Sequence, residues 1–483
     1  MSDQPRSQSD DLGLRSIATP PEELDEGAAT PRPGGGAATP RPGGGAATPR
    51  PGGGAATPRP GGGAPTPRPG GGAATPRPGG GAATPRPGGG AATPRPGGGA
   101  PTQVRSETAA GPSTEVARTR AWVLEEPGAD LELTTVELSP PGPEQVLVRI
   151  RATGVCASDV HVLDGRLPKP MPFVPGHEAA GEVVAVGDGV HDLAPGAHVV
   201  LSILPRCGTC EACVAGRTNH CTWAGDLAGT GTLDGTNTGW HLPDGRALHH
   251  FNGVSSFAEH VVSPRSGVVE IDPALPFSQA ALLGCAVATG VGAVRNAARV
   301  AAGQTVAVIG CGGVGLNVIQ GARIAGASRI VAVDLDPEKL ALATALGATD
   351  VVDAAQQDVR TVVPQLVAGG VDHAFDAIGR PSALEDAFAI TATGGTAIAV
   401  GLYATDAQIT IDAFPLVGER RLVGTYLGGV DPHVDVPALA QDALYGRLEL
   451  ASLIVERAFE ELPDAVADLR AGRTLARQVL TLP

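Results

Sequence analysis

The chain of 483 residues carries 69 glycines and 44 prolines, nearly a quarter of its length, with a formal net charge of −15. The bias is local: residues 1–116 hold 27 Gly and 22 Pro, no aromatic and no cysteine, at net +2, which leaves −17 on residues 117–483. So acidic a body excludes sequence-independent binding to nucleic acid or to an anionic membrane, both of which need clustered Lys and Arg.

From Gly27 to about Thr102 the nine-residue unit GAATPRPGG recurs, placing Arg at 32, 41, 50, 59, 68, 77, 86 and 95. No unit contains a large apolar side chain. Stacked repeats need a buried face, so residues 1–116 are expected to be a disordered, extended linker. The opening MSDQPRSQSDDLGLRS has no basic segment followed by an apolar one, and no apolar run of about 18 residues occurs, so a cytoplasmic protein with no membrane span is expected. The 367 residues from 117 onward suffice for two domains.

After Ala117 come short strand-like runs broken by Gly and Pro: RAWVLEE, LELTTVEL, QVLVRIRATGVC, GEVVAVG and GAHVVLS. They predict an antiparallel or barrel-like β domain. Within it lie Cys207, Cys210, Cys213 and Cys221, spaced C-x2-C-x2-C-x7-C. Four thiolates so close can close a tetrahedral shell around one Zn²⁺ and leave no position for substrate, which makes a structural site. His220, beside Cys221, reads as a solvated neighbour. All seven cysteines lie beyond residue 150, too few and too uneven for a disulfide framework, so metal use is expected.

From about residue 290 strands alternate with helices: TVAVIG, a helix from Val314, RIVAVD, a helix from Pro337, DVVDA, HAFDAIG and GTAIAVG. That alternation predicts a parallel, doubly wound sheet of Rossmann type. Gly310, Gly312, Gly313, Val314 and Gly315 form a G-x-G-x-x-G loop with Cys311 as a small filler, and Asp334 ends the next strand 19 residues after Gly315. Such glycines let a pyrophosphate approach the backbone at a helix N-terminus, and the acid can accept both ribose hydroxyls while repelling a 2′-phosphate. NAD is therefore expected over NADP. Asp334 could equally cap the helix that starts at Pro337. The last fifty-odd residues lose the alternation and read as a return to the first domain.

Cys156 in GVCASDVH, His177 in PGHEAAGE and Cys285 in LLGCAVATG have bland readings singly: buried thiol, core histidine, small residue before a helix. Beside a nucleotide fold and a structural zinc, two thiolates and an imidazole look like the three protein ligands of a catalytic Zn²⁺ with an open fourth position.

Taken together, GVCASDVH, GHEAAGEVVAVG, the four-cysteine lobe, LLGCAVATGVGA, VAVIGCGGVGLNVI and VAVDLDPEKL make residues 118–483 resemble the zinc-dependent medium-chain alcohol dehydrogenases. The resemblance implies an α/β fold: a GroES-like catalytic barrel over 117–286, a Rossmann domain over 287–426 and a return to the catalytic domain over 427–483. It implies two zinc ions per chain, with Cys156, His177 and Cys285 on the catalytic one and Asp159 and Glu178 in contact with those ligands. Ser158 and His161 then form a proton relay by way of the cofactor ribose, and Thr289, Lys339 and Arg477 contact nicotinamide, adenosine ribose and pyrophosphate. Three departures are visible. Ala157 replaces a basic residue that would meet the pyrophosphate, Gly225 an anion-binding Arg of the glutathione-dependent formaldehyde dehydrogenases, and Ile203 a pocket aromatic. The segment 226–257 resembles the longer form of dimeric members, so a homodimer is expected.

The expected activity is reversible oxidation of an alcohol to an aldehyde or ketone with hydride transfer to NAD. The competing readings are oxidation of a thiol–formaldehyde adduct and a non-catalytic NAD- and zinc-binding regulator. A regulator would show damage at Cys156, Ser158, His161, His177 or Cys285, and all five are intact.

Overall fold

The computed structural model describes residues 117–483. The repeat-bearing segment 1–116, expected to be a disordered linker, lies outside the described residues.

The strand Gln145–Gly154 organises the first sheet. It pairs antiparallel with Glu178–Val186, His260–Pro264 and Arg477–Thr481, and the sheet continues through His198–Leu201 to Val268–Glu270 on one side and through Ile454–Ala458 on the other. Irregular register between Leu147 and Val148, and between Ile150 and Ala152, bends the strand, as curvature into a barrel requires. A three-stranded sheet of Ala117–Val123, Glu132–Leu138 and Trp240–His241 packs alongside. The chain's last strand therefore lies in the sheet that strands between residues 145 and 270 build.

The second sheet has six parallel strands, in the order Asp350–Asp353, Arg329–Asp334, Thr305–Ile309, Val371–Asp376, Thr391–Ala399, Arg421–Gly424. The order reverses between Thr305–Ile309 and Val371–Asp376, and the crevice beyond their carboxyl ends is where nucleotides bind such sheets. The near-continuous apolar runs follow from burial on both faces. Val306, Val308, Ile330 and Ala332 point into the core shared with the first domain, while Ala307, Ile309, Val331 and Val333 point into a second core with Phe388. Asp336, not Asp334, caps the helix Pro337–Leu346, its carboxylate accepting the Glu338 N–H.

Candidate active site

Strand register brings the first cluster together. Gly154 ends the central strand and stands opposite both Glu178 and Val479. Cys156 therefore emerges beside His177 and Glu178 on one side and Arg477 on the other. Gly154 is required there, because a Cβ would lie 2.2 Å from Glu178 Oε2. Cys285 arrives from the turn Leu282–Gly284 as the N-cap of the helix Ala286–Gly292. The donor atoms of Cys156, His177, Glu178 and Cys285 all lie within 4.8 Å of one another, and all four residues are buried.

Asp159, fully buried, organises this set. Its Oδ2 accepts the Cys156 N–H at 3.0 Å, while its Oδ1 accepts the Gly176 N–H at 3.2 Å and lies 2.8 Å from His177 Nδ1, leaving Nε2 for the cluster. Burial works against a charged His177, but Asp159 and Cys156 together hold it well above its ordinary pKa. The hydrogen bond with Cys285 holds Cys156 well below the usual thiol range and Cys285 well above it, as in two thiols sharing one proton. Arg477 Nη2 stands 3.2 Å from Glu178 Oε1, yet neither Glu178 oxygen has a hydrogen bond of acceptable alignment. The pair is electrostatic, and a buried carboxylate is left open toward the thiols. Two thiols, an imidazole fixed by a carboxylate and an open acid form a donor set that suits zinc.

The second cluster, Cys207, Cys210, Cys213 and Cys221, also has its sulfurs within 4.8 Å of one another. The backbone N–H of Cys210 points at Cys207 Sγ at 3.3 Å, and donation from Thr209 and Cys210 draws that thiol below its ordinary pKa. The spacing predicted that these four thiols would gather, and the set they form fits a structural zinc.

At the crevice of the parallel sheet, Gly310 has φ +95°, and a Cβ on Gly315 would lie 1.8 Å from the Gly310 carbonyl, so strand, turn and helix close up only with glycine. Gly312 faces open space and Gly313 starts the twelve-residue helix Gly313–Ile324. Arg477 reaches this point too, since a Cβ on Gly313 would meet its Nη2 at 2.8 Å. A helix N-terminus, open glycine backbone and a buried guanidinium suit a pyrophosphate. Asp334 is held by three backbone donors: Cys311 N–H to Oδ2 at 2.7 Å, and Leu335 and Asp336 N–H to Oδ1. Lys339 is half-exposed on the following helix. Thr289 lies one turn along from Cys285, its N–H donating to the Cys285 carbonyl. Gly290 passes 2.6 Å, measured to a built Cβ, from the Val314 carbonyl, so the two helices touch backbone to backbone.

Ser158 Oγ is 3.9 Å from Cys156 Sγ, and the half-buried His161 ring makes no hydrogen bond among the described residues. No hydrogen bond links the two side chains among the described residues.

Sequence reasoning missed several residues. Phe251 packs against His177 with ring centroids 4.7 Å apart and the ring planes tilted by 46°. Tyr426, with Ile203, His220, Gly225 and Asn252, lines a cavity of about 310 Å³. Leu335, Ile378 and Leu402 are exposed apolar side chains just past three strand ends at the crevice, a pattern legible in the sequence once the strands are known.

Residues 142–276 match the alcohol dehydrogenase GroES-like domain and residues 313–443 the zinc-binding dehydrogenase family. An S-(hydroxymethyl)glutathione dehydrogenase of Photobacterium damsela subsp. piscicida is 38% identical over 341 residues, covering 70% of this chain and 92% of that protein. Among solved structures, an alcohol dehydrogenase zinc-binding domain protein from Burkholderia ambifaria superposes with TM-score 0.73 at 35% identity, covering 76% of this chain and 100% of the other. A benzyl alcohol dehydrogenase from Acinetobacter calcoaceticus does so at 0.72 and 31%, with the same coverage.

Proposed function

The chain belongs to the zinc-dependent medium-chain alcohol dehydrogenase family, and from that premise we propose that it oxidises a primary or secondary alcohol reversibly to an aldehyde or ketone, with NAD as the hydride acceptor. The observation that carries this reading is the buried set of Cys156, His177 and Cys285, joined through Glu178 and Arg477 to the glycine loop. These three residues would hold one zinc ion, and Cys207, Cys210, Cys213 and Cys221 a second. When bound, zinc supplies a Lewis acid and NAD a two-electron acceptor.

The chain's own residues do the rest. Asp159 keeps the His177 ring turned with Nε2 toward the thiols. Arg477 offsets the Glu178 charge and places a cation at the glycine loop. Ser158 Oγ takes the substrate hydroxyl proton as it gives up its own, and the half-exposed His161 imidazole is the solvent end of the relay, which the bound cofactor's ribose would link to Ser158. Asp334 receives ribose hydroxyls, with Lys339 and Thr289 at the two ends of the same cofactor path. Leu335 and Ile378 supply apolar walls for the adenine.

Division into a catalytic unit over 117–286, a nucleotide unit over 287–426 and a returning segment over 427–483 accords with this assignment of tasks. A homodimer is supported by the edge strand Arg421–Gly424 and the adjacent exposed Phe414, Leu416 and Val417. A cytoplasmic location accords with seven unpaired cysteines. No single described helix is long and apolar enough to cross a membrane.

A second reading, oxidation of a thiol–formaldehyde adduct, is favoured by the names of the relatives, while Gly225, standing where an anion-binding Arg would be, argues against glutathione as the thiol. The test is NAD reduction by zinc-loaded protein with a panel of alcohols, with and without formaldehyde and low-molecular-weight thiols. Turnover of simple alcohols supports the first reading, and turnover only with both additives the second. No turnover with any of them at two zincs per chain defeats both.

A further inference from the structure

One buried carboxyl group has no part in the chemistry above. Asp376 ends the strand Val371–Asp376, beside the point where the order of the parallel sheet reverses, and it is fully buried. Its Oδ1 accepts the Ile378 N–H at 2.8 Å and the Gly379 N–H at 3.2 Å, while its Oδ2 accepts the Tyr403 hydroxyl. Its backbone carbonyl accepts the N–H groups of Val400 and Gly401 at 3.0 and 2.9 Å. Burial pushes the carboxyl above its ordinary pKa, and only the Tyr403, Ile378 and Gly379 donors oppose that, with no cation beside it. An amide could accept the two backbone N–H groups as well. The second carboxyl oxygen is what receives Tyr403.

The tie matters because of the segment in which Tyr403 stands. Residues 400–413, between the strand Thr391–Ala399 and the helix Phe414–Val417, form neither helix nor strand, and none of them is buried. A stretch without a buried side chain has little packing to fix it. Its first residues are nevertheless pressed against the neighbouring turn: a Cβ on Gly379 would lie 2.4 Å from the Leu402 carbonyl oxygen, and one on Gly401 would lie 2.1 Å from the Gly379 nitrogen. Ile378 in turn meets the glycine loop, since a Cβ on Gly310 would lie 2.5 Å from its Cγ1. Asp376 therefore holds the turns 377–379 and 400–403 together beside the glycine loop. A dinucleotide lies across the reversal point of such a sheet. Asp334 follows the strand on one side of the glycine loop, and residues 400–403 follow Thr391–Ala399 on the other side, so the half of NAD beyond the pyrophosphate extends toward the exposed Leu402.

We propose that Tyr403 is a positioning residue: its hydroxyl, bonded to Asp376, fixes residues 400–403 as the wall against which the nicotinamide half of the cofactor rests. The inference rests on the NAD-dependent reading and deepens it at the cofactor end of that site. The hydroxyl meets Asp376 rather than the cofactor, so its loss acts by loosening the wall.

The test measures, by calorimetry on the zinc-loaded full chain, the dissociation constants of NAD⁺ and of ADP-ribose, which has no nicotinamide. In Tyr403→Phe, which removes only the hydroxyl, NAD⁺ should bind about tenfold more weakly, while ADP-ribose stays within about twofold of the wild type. Asp376→Asn keeps the size of the side chain and an acceptor for the two backbone N–H groups. In that background Tyr403→Phe should weaken NAD⁺ by less than about threefold, because the two groups act as a pair. The ratio of the two constants is read, since a purely structural role for Tyr403 would lower Tm and weaken both ligands alike. An unchanged ratio in Tyr403→Phe overturns the proposal, as does a tenfold effect that persists in the Asp376→Asn background. Either result, with a wild type that binds NAD⁺, defeats this inference alone, whereas a wild type that binds neither ligand defeats the NAD-dependent reading as well.

Discussion

Asp334 shows how much one carboxylate can decide. Its three backbone donors fix it at the strand end, and the remaining lone pairs can accept two ribose hydroxyls. Charge-assisted bonds of about 1.5–3 kcal/mol, together with repulsion of a 2′-phosphate, should give NAD a preference over NADP of about 100-fold or more in kcat/KM. Asp334→Gly should shrink that ratio, chiefly by weakening NAD, and an unchanged ratio would mean that the carboxylate does not meet the ribose. His161 carries a pH prediction. Burial, aided by the nearby Arg166 charge, holds its imidazole below the ordinary 6.5. Below pH 6.5 the unfolded chain binds a proton that the folded ring refuses, so its contribution to stability is lost as pH falls through that window. The neutral ring that the relay needs persists over the same window. The acid limb of the kcat profile should therefore fall below the ordinary imidazole range, and His161→Gln should lose that limb while lowering kcat.

At the scale of elements, the two thiolate clusters differ in how they are built. The lobe cluster is assembled within one short segment and shares no residue with the crevice, so its metal contributes to folding. Cys210→Ser should lose one zinc by elemental analysis. A loss of about 2 kcal/mol would lower Tm by roughly 4–8 °C in a domain of this size. The buried cluster instead joins two strand ends and a helix start. His177→Ala should lower turnover by at least about a thousandfold, roughly 4 kcal/mol of barrier, with the smaller change in Tm. The reverse pattern would mean that the two roles are exchanged. Gly290 explains how the helix after Cys285 and the helix after the glycine loop pack so closely: their backbones touch where any side chain would hold them apart.

At the scale of the molecule, the nine-residue repeats between Gly27 and Thr102 contain no large apolar side chain. Deletion of the segment 1–116 should leave kcat and Tm nearly unchanged, and a drop in activity of more than about tenfold, or 1.4 kcal/mol, would assign it a role. The exposed Phe414 and Val417 carry the assembly prediction. They are 84% and 79% exposed beside an unpaired sheet edge. If the chain forms the proposed homodimer through this face, Phe414→Asp combined with Val417→Asp should give a monomer in sedimentation or light scattering, whereas an unchanged mass would place the interface elsewhere.

What the sequence determined by itself was whatever is local along the chain. The glycine loop sits between one strand and one helix, the four lobe cysteines span fifteen residues, and the alternation of strand and helix names a parallel sheet, because backbone geometry and metal spacing act over short separations. Cys156, His177 and Cys285 were legible as a leftover set of ligand types, and family resemblance supplied their roles. Only the tertiary structure decided what depends on distant strands meeting. Arg477 reaches Glu178 and the glycine loop because the last strand pairs with the strand that ends at Gly154. Lys169 meets Ala228 and Asn252, 59 and 83 residues away, and Phe251 meets His177 across a similar gap. No periodicity or spacing encodes such contacts. They follow from sheet register and core packing, which fix where each side chain ends in space only after the whole chain has closed.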